Sequence, residues 1–282
     1  MIHSNQNIDI LKKDGLVKIS NFLNKKQTND ISSIILKYRP TKASNSSYFA
    51  SNYKNLFYKL LKLNFVSFFE NLSIINVCNS LGLKKFSEQH FKKKTHLTMV
   101  DAYYNSKNDN QDKPVIPWHT DQAYSGANIN EIKEFVNPDD YTLKFFIYLT
   151  DVYRDNGCMS YIPGSHKITY LIRKGIYDGK LDYAPYWSAS QIIEFISYNK
   201  NKEYIMEHLE EKIFFNEFIE KLKMLKENDD NHLFDYSMKA GDAIIFNEGI
   251  IHKGSRIAYS DRMILRFHFK PNLINTSQNN NN

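Results

Sequence analysis

Alternation of apolar and polar residues is the feature that most restricts the fold of this 282-residue chain. From residue 95 onward, segments rich in β-branched and aromatic residues recur between turns that contain Gly, Pro or Asn. These segments read THLTMVDAYY, YTLKFFIYLTDV, CMSYIP, FDYSMKAGDAIIF and RMILRFHFKP. Short strands separated by turns predict a mainly β protein with flanking helices, a barrel or sandwich of the jelly-roll kind.

The first part of the chain alternates between strand and helix signals. LVKIS has the period of a half-buried strand, and Asn24 with Gln27 three residues later has the pattern of a helix-capping box. The helix that follows should end before Pro40, because the residue before proline is disfavoured in the helical region. Residues 41–53 are rich in Ser and Asn and predict a loop, and residues 56–72 are apolar enough for a second helix.

Residues 203–226 interrupt the β pattern with helical spacing and predict one helix, which either packs on the barrel or acts as a lid. Its apolar stripe would consist of Leu209, Ile213, Phe215, Phe218, Ile219, Leu222 and Leu225. We therefore expect a single domain over residues 1–274 with a helical insert or lid near residues 168–235. The tail, residues 275–282, is of low complexity and is expected to be disordered.

Composition limits the kinds of partner that we expect this protein to bind. Lys and Arg number 37 against 31 Asp and Glu, a net charge of +6 that is spread along the chain, and no basic and aromatic stripe typical of nucleic-acid binding is present. An anionic or amino-acid-like small molecule fits this charge. The two cysteines have no CxxC spacing, and neither a signal peptide nor a run of ~18 apolar residues occurs. We expect a cytoplasmic protein, a monomer or small homo-oligomer, without nucleic-acid or membrane partners.

A histidine and an aspartate stand two residues apart in PVIPWHTDQAY, residues 114–124. On an extended strand residues two apart point the same way, so His119 and Asp121 would share one face while Thr120 takes the other. An imidazole and a carboxylate that converge are suited to a divalent first-row metal. The alternative is an accidental pair, since nine histidines and 31 acidic residues produce such spacings by chance.

A third ligand is available in AGDAIIFNEGIIHKGS, where His252 ends the segment GIIH. It lies far from His119 along the sequence, so only tertiary folding can bring the two together. Two histidines and one carboxylate on one face leave three coordination positions open, the arrangement of non-haem Fe(II) oxygenases.

Two arginines follow in SDRMILRFHF. A 2-oxoglutarate co-substrate would chelate iron through its keto oxygen and C1 carboxylate, and its C5 carboxylate needs the planar, bidentate partner that a guanidinium offers. On a strand Arg262, Ile264, Arg266 and His268 share one face. Arg262 is the first candidate for this role and Arg266 the second, and a salt bridge is the alternative for each.

Together these residues resemble the phytanoyl-CoA dioxygenase family of Fe(II)- and 2-oxoglutarate-dependent oxygenases. The resemblance rests on WHTD, on GDAIIFNEGIIHKGS with Arg262 behind it, and on LTDVYRDNGCMSYIPGSHK at residues 149–167. In that last segment the matching positions are Asp151, Asn156, Gly157, Met159, Pro163, Gly164, Ser165 and His166. Coverage is discontinuous from about residue 14 to about residue 270 and leaves residues 168–235 unmatched.

The resemblance implies a double-stranded β-helix, the cupin-like jelly roll. It also implies iron ligands His119, Asp121 and His252, with Arg262 on the C5 carboxylate of 2-oxoglutarate. O2 would then oxidise an unactivated C–H bond of a small molecule by hydroxylation, desaturation or cyclisation, with release of succinate and CO2. Related halogenases have a small residue at the position of Asp121, so the retained carboxylate favours hydroxylation.

Two departures from the family pattern concern the substrate. The acyl-CoA enzymes carry Gln where this chain has Thr120, and the Asn that commonly follows HKGS is absent. Two other functions stay open at this point. One is a cupin-like metal-dependent isomerase or hydrolase, which would have no use for Arg262, and the other is a catalytically lapsed member that only binds a ligand.

Further residues have a functional and a structural interpretation each. Aromatic residues near the metal motif either line a cavity or pack in the core: Tyr103, Tyr104, Trp118 and Tyr124. Basic residues after PGSH either meet an anionic substrate or are solvated: Lys167, Arg173 and Lys174. His166 and Cys158 are interpreted as structural. The histidines without a partner pattern are assigned to surface or core: His90, His96, His208, His232 and His268.

Overall fold

The computed structural model describes residues 2, 4–38, 46–49, 65–107, 116–122, 138, 140–227 and 232–272. Ten strands of this part form two antiparallel sheets: β1 (Leu16–Ile19), β2 (Ser46–Phe49), β3 (Thr95–Asn105), β4 (Ile116–His119), β5 (Leu143–Tyr148), β6 (Met159–Tyr161), β7 (Asp235–Tyr236), β8 (Ala243–Asn247), β9 (His252–Gly254) and β10 (Arg262–Pro271). The larger sheet has the order β1-β8-β5-β10-β3-β2 and the smaller has the order β4-β9-β6-β7.

Eight α-helices flank the sheets in the described residues: α1 (Asn5–Asp14), α2 (Lys25–Tyr38), α3 (Phe65–Ser80), α4 (Leu83–Phe91), α5 (Ser165–Tyr177), α6 (Ala189–Ser197), α7 (Asn199–His208) and α8 (Lys212–Glu227). Helices α1 to α4 pack on the outer face of the larger sheet, where Phe86, Phe145 and Phe267 belong to one buried cluster. Helices α5 to α8 form a second cluster with Trp118 of β4. Within the described part of the chain, no helix has both the length and the apolar character needed to cross a bilayer.

The inner faces of the two sheets enclose a third apolar cluster. The larger sheet contributes Phe146, Tyr148 and Ile264, and the smaller sheet contributes Met159 and Tyr161. Alternation along β5 explains the division, because Phe145 and Ile147 face the helices while Phe146 and Tyr148 face inward. The expected jelly roll with flanking helices is therefore confirmed, and the candidate site lies between the two sheets.

Several local predictions are confirmed. LVKIS forms β1, and the capping box is complete, since Asn24 Oδ1 accepts from Gln27 N at 2.9 Å and Gln27 Oε1 accepts from Asn24 N at 3.0 Å. Helix α2 ends at Tyr38, before Pro40. The predicted shared face of β10 is also confirmed by its register with β3, in which Arg262 is opposite Asn105 and Arg266 is opposite Asp101.

Other predictions are wrong or incomplete. The loop expected over residues 41–53 contains β2, because SSYF offers the backbone groups and β-forming residues that extend the sheet edge at β3. The helix expected over residues 56–72 continues to Ser80, and residues 56–64 lie outside the described residues, as do Tyr124 and the tail 275–282. Helix α1 was not predicted, although Ser4 caps its first turn and Gly15 ends it with φ +78°.

The single helix predicted over residues 203–226 is also wrong. Leu209 is extended and buried, and it separates α7 from α8. Ile213 is 71% exposed and does not belong to the stripe, because the consecutive apolar residues 213–215 cannot all point to one side of a helix. The other predicted members of the stripe face inward: Phe215, Phe218, Leu222 and Leu225 are buried, and Ile219 is partly buried against the same cluster.

Candidate active site

His119 and His252 are brought together by strand pairing. They are directly opposite each other in the β4–β9 ladder, and their ring centroids are 4.3 Å apart. Asp121 completes the group, and the three potential ligand atoms lie within 4.8 Å of one another. The structure therefore joins the three residues that the sequence had singled out, although they come from two distant segments of the chain.

Hydrogen bonds fix the tautomer of both histidines. His119 Nδ1 is 2.7 Å from Pro117 O, and His252 Nδ1 is 3.0 Å from Ile250 O. Because a carbonyl oxygen can only accept, each Nδ1 carries the proton and each Nε2 keeps its lone pair. Both lone pairs are available to a metal, and the carbonyls orient the rings as outer partners do in metal sites.

Asp121 reaches the histidines from a turn, whereas the sequence predicted a continuous strand. Strand β4 ends at His119, and Asp121 N then donates to Glu248 O at 3.2 Å. Thr120 is buried on the other side, where its Oγ1 donates to Gly249 O at 3.1 Å. The carboxylate lies 3.4 Å from His119 Nε2 and 3.3 Å from His252 Nε2, so the convergence holds even though the predicted backbone is wrong at Asp121.

The electrostatics of the site favour an ionised Asp121 and a neutral His252. Burial alone would raise the pKa of Asp121, but Lys144, His252 and His119 hold it well below its usual value. Burial lowers the pKa of His252 despite the nearby Asp121. Lys144 Nζ donates to Asp121 Oδ2 at 2.6 Å. A carboxylate and two neutral imidazoles are the ligand set that a divalent first-row cation requires.

The PGSH turn holds the strand that carries His252. Ser165 Oγ accepts a hydrogen bond from Ile251 N at 2.8 Å, and Ile162 N donates to Ile251 O at 2.9 Å. The His166 ring packs on Gly15, where an added Cβ would lie 2.3 Å from Nδ1, and its Nε2 is 3.2 Å from Lys12 O. His166 thus joins this turn to the end of α1, which agrees with its interpretation as structural.

Arg262 is a buried guanidinium with only neutral partners among the described residues. Its Nε and Nη2 donate to Asn105 Oδ1 at 3.1 and 2.8 Å, and its Nη1 donates to Gly157 O at 3.0 Å. Its exposed fraction is 4%, and burial lowers its pKa. A buried cation without a counter-ion is costly, so this position is suited to an anion that binds from the barrel interior.

Arg266 is already neutralised. Its Nε donates to Asp101 Oδ1 at 2.8 Å, and its Nη2 pairs with Asp101 Oδ2. Its guanidinium carbon also lies 3.9 Å from the centroid of the Tyr103 ring. Asp101 is fully buried, which makes the pair a structural element of the barrel. The contrast favours Arg262 over Arg266 as the anion-binding residue.

The Asn156–Gly157 dipeptide builds the backbone around Arg262. Asn156 Oδ1 accepts from Tyr259 N and Ser260 N at 2.9 and 2.8 Å, which joins two loops. Gly157 has φ +77°, and a Cβ on it would lie 2.7 Å from Arg262 Cδ. Glycine is therefore needed both for the backbone conformation and for the close approach of the arginine.

Two tyrosines connect the triad to Arg262. Tyr161 stacks on His252 with ring centroids 5.8 Å apart, and Tyr148 is close enough to Arg262 for the two to interact electrostatically. Burial raises the pKa of both tyrosines, and their hydroxyls lie close enough to interact with each other. Neither hydroxyl has another hydrogen-bond partner among the described residues, so the pair retains one donor for a ligand between the triad and the guanidinium.

The other residues singled out from sequence divide between site and scaffold. Tyr103 lies in the barrel next to Arg266. Trp118 packs among α6 and α8 on the far side of β4. Tyr104 donates to Asp261 Oδ2 at 2.5 Å. Arg173 is buried and donates to Gln122 O at 2.5 Å, and Lys174 pairs with Asp178 on the surface. Lys167 lies over the Phe214 ring, 5.6 Å from its centroid. Neither lysine contacts the triad.

Sequence reasoning missed three residues near the triad. Lys144 contacts Asp121, the Trp187 ring lies 5.1 Å from the His119 ring, and His268 is the cross-strand neighbour of Lys144. A signal existed for two of them, since Lys144 interrupts an apolar strand and His268 shares the alternation of Arg262 and Arg266. Trp187 lies in a segment whose place in the fold follows from tertiary contacts alone.

Comparisons with known proteins identify a family and several solved structures that this chain resembles. The family model described as phytanoyl-CoA dioxygenase matches residues 11–262. No curated protein matches the chain. Among solved structures, the non-heme alpha-ketoglutarate-dependent epimerase SnoN from nogalamycin biosynthesis is similar with a TM-score of 0.52 and 11% identity, covering 95% of this chain and 82% of that one.

Two further structures come from Streptomyces. HygX from Streptomyces hygroscopicus, with nickel and 2-oxoglutarate bound, has a TM-score of 0.52 and 12% identity over 96% of this chain and 88% of its own. AviO1 from Streptomyces viridochromogenes Tue57 has a TM-score of 0.50 and 12% identity over 96% of both chains. At these identities the likeness establishes a shared fold.

Proposed function

Since the chain belongs to the phytanoyl-CoA dioxygenase family, we propose that it is an Fe(II)- and 2-oxoglutarate-dependent oxygenase that oxidises a C–H bond of a small molecule. Succinate and CO2 would be the products of the co-substrate. The observation that carries the proposal is the pairing of the His119–Asp121–His252 group with a buried guanidinium that has no described carboxylate partner. A cupin-like isomerase or hydrolase would use the three metal ligands but has no need of the buried guanidinium.

His119, Asp121 and His252 would hold Fe(II) through two Nε2 atoms and one carboxylate oxygen, and Arg262 would bind the C5 carboxylate of 2-oxoglutarate. The bound iron and co-substrate supply oxidising equivalents from O2 that no amino-acid side chain provides. HygX, whose structure contains nickel and 2-oxoglutarate, supports this choice of ligands on the same fold.

The chain's own residues would position the co-substrate and exclude water from the site. Asn105 and Gly157 hold the guanidinium from behind, so that its remaining donor capacity faces the barrel. Tyr148 and Tyr161 close the space between arginine and metal ligands and offer a hydroxyl donor. A dry interior strengthens each of these polar contacts, and fixed donors need no reorganisation when a ligand arrives.

The reaction type proposed is hydroxylation, with desaturation or cyclisation as further outcomes of hydrogen abstraction. The carboxylate of Asp121 occupies the place that a halide would need, which disfavours halogenation. The substrate would be a small molecule that enters beside Asp121, whose side chain is 30% exposed while those of His119 and His252 are 3% and 4% exposed.

The test is anaerobic addition of Fe(II) and 2-oxoglutarate to the metal-free protein, with the visible charge-transfer band of the chelate as readout. We expect the band in wild type and its loss in His119→Ala, because two protein ligands hold a metal weakly. His96→Ala is the matched control, since His96 lies at the far end of β3 and contacts Asn272. A wild-type protein without the band, or a His119→Ala variant with an undiminished one, contradicts the proposal.

A further inference from the structure

Lys144 and His268 form a second polar group beside the proposed metal position. They are direct neighbours in the β5–β10 ladder, so both point to the barrel interior. Lys144 reaches Asp121 Oδ2 at 2.6 Å, and Asp121 also acts electrostatically on His268. The pair therefore lies on the Asp121 side of the triad, which is its more exposed side.

His268 Nε2 is an unused hydrogen-bonding group. The residue is 8% exposed, its ring lies parallel to Phe146 with centroids 6.5 Å apart, and its Nε2 is buried without a partner in the described chain. Burial, Lys144 and Arg266 together lower the pKa of His268 well below its ordinary value, so the ring is neutral near pH 7. A buried polar atom without a partner in a native fold is costly and suggests a ligand.

Lys144 depends on Asp121 for its charge balance. Its side chain is 11% exposed, and Asp121 is the one described carboxylate with which it forms an ion pair. Glu248 also interacts electrostatically with Lys144, but burial raises the pKa of Glu248, and its Oε1 already accepts from Thr142 N at 2.7 Å. A divalent cation bound to Asp121 would take up that negative charge and would also repel the nearby ammonium. A buried ammonium beside a dication requires another anion within reach.

Both carboxylates of the co-substrate would already have a partner, since Arg262 would bind the C5 carboxylate and the metal would bind the C1 carboxylate. Arg262 begins β10, and His268 lies towards the other end of the same strand. Their backbone positions are roughly 20 Å apart along the strand, so the one carboxylate bound at Arg262 cannot also contact His268. The anion that meets His268 therefore has a different source from the one that meets Arg262.

We propose that Lys144 and His268 form an anion-binding subsite for a carboxylate of the substrate, which would fix the substrate beside Asp121. This inference rests on the proposed function and adds the substrate class to it. The ammonium would supply the charge, and His268 Nε2–H would donate the second hydrogen bond to the same carboxylate.

The experiment uses the full chain, anaerobic and saturated with Fe(II) and 2-oxoglutarate, with acetate as the probe and acetamide as its neutral counterpart. We expect acetate to shift the charge-transfer band with half-saturation on the order of 10 mM, and acetamide to leave the band unchanged. Lys144→Met and His268→Phe should each weaken the acetate response about tenfold or more, and should raise the 2-oxoglutarate Kd far less than Arg262→Met does. Lys270→Met is the matched control, because Lys270 lies on the same strand and pairs with Asp140.

Two variants at separate positions keep the test decisive if one of them folds poorly. Equal responses to acetate and acetamide, or an unchanged acetate response in either variant, would overturn the subsite. A Lys144→Met variant that loses 2-oxoglutarate affinity as severely as Arg262→Met would assign the lysine to the co-substrate and also overturn it. Absence of the band in wild type removes the proposed function, whereas a band without any acetate response removes the subsite alone.

Discussion

Arg262 and Arg266 lie four residues apart on the inner face of β10, and the two ends of the segment from Arg262 to Arg266 differ in how a buried positive charge is compensated. At the Arg266 end, Asp101 neutralises the guanidinium with two contacts and Tyr103 covers it. At the Arg262 end, an amide and a backbone carbonyl accept the hydrogen bonds and leave the charge uncompensated. The first arrangement stabilises the barrel by itself, and the second is suited to the anion proposed to bind there.

The largest expected effect is at the compensated end. Arg266→Met leaves Asp101 as a fully buried carboxylate without a side-chain partner among the described residues, which should lower the free energy of unfolding by about 3–5 kcal/mol. Denaturant unfolding of the metal-free protein measures this loss. Arg256→Met is the control, because its pair with Asp155 is partly exposed and should cost at most about 1 kcal/mol. Equal losses in the two variants would contradict the contrast between the ends.

At the uncompensated end the expected loss is in binding. Arg262→Met should raise the Kd for 2-oxoglutarate about 100-fold, or about 2.7 kcal/mol, because it removes a bidentate charge-assisted contact. Anaerobic titration of the charge-transfer band measures the Kd. In Arg266→Met the Kd per folded molecule should change far less, and the opposite order would exchange the roles of the two arginines.

Gly157 allows the contrast to be tested without removing a charge. Gly157→Ala places a Cβ at φ +77° and 2.7 Å from Arg262 Cδ, so it should lower the free energy of unfolding by about 2 kcal/mol and displace the guanidinium. The expected result is a weaker 2-oxoglutarate affinity, seen by the same titration. Gly179→Ala is the control, since its φ is +68° but no atom lies within 4 Å of the added Cβ. Both variants share the backbone strain, so an equal effect on 2-oxoglutarate would refute the role of the close approach.

The smallest expected effect concerns pH at the Arg266 end. The pKa of His268 is lowered by burial, Lys144 and Arg266, so the unfolded chain binds a proton below about pH 6.5 that the folded chain does not. This difference in proton binding has no effect on the free energy of unfolding at pH 7.5. As the pH falls below 6.5, it lowers the free energy of unfolding progressively. His268→Phe should remove about 1–2 kcal/mol of that loss by pH 5. Unfolding curves of both proteins at pH 7.5 and 5 measure it, and parallel pH profiles would contradict the prediction.

The sequence was most informative where a short-range pattern determines geometry. Alternation identified the strands, and spacing identified His119 and Asp121, although the chain turns after His119. Choosing between Arg262 and Arg266 required the register of β10 with β3, because only the register shows that Asp101 is opposite Arg266. The site residues Lys144 and Trp187 depend on contacts between segments distant in sequence, and the helix break occurs at Leu209, which is extended and buried.

The pairing of His119 with His252 has a consequence for how the protein is made. A growing chain that has reached Asp121 contains only two of the three proposed ligands, and the third comes much later in the sequence. At about 5–20 residues per second, synthesis of the segment between Asp121 and His252 takes roughly 7–26 s. Metal loading is therefore expected late in synthesis or after release, once β9 has joined β4. Until then, a ribosome-bound fragment presents an incomplete ligand set that should not retain iron.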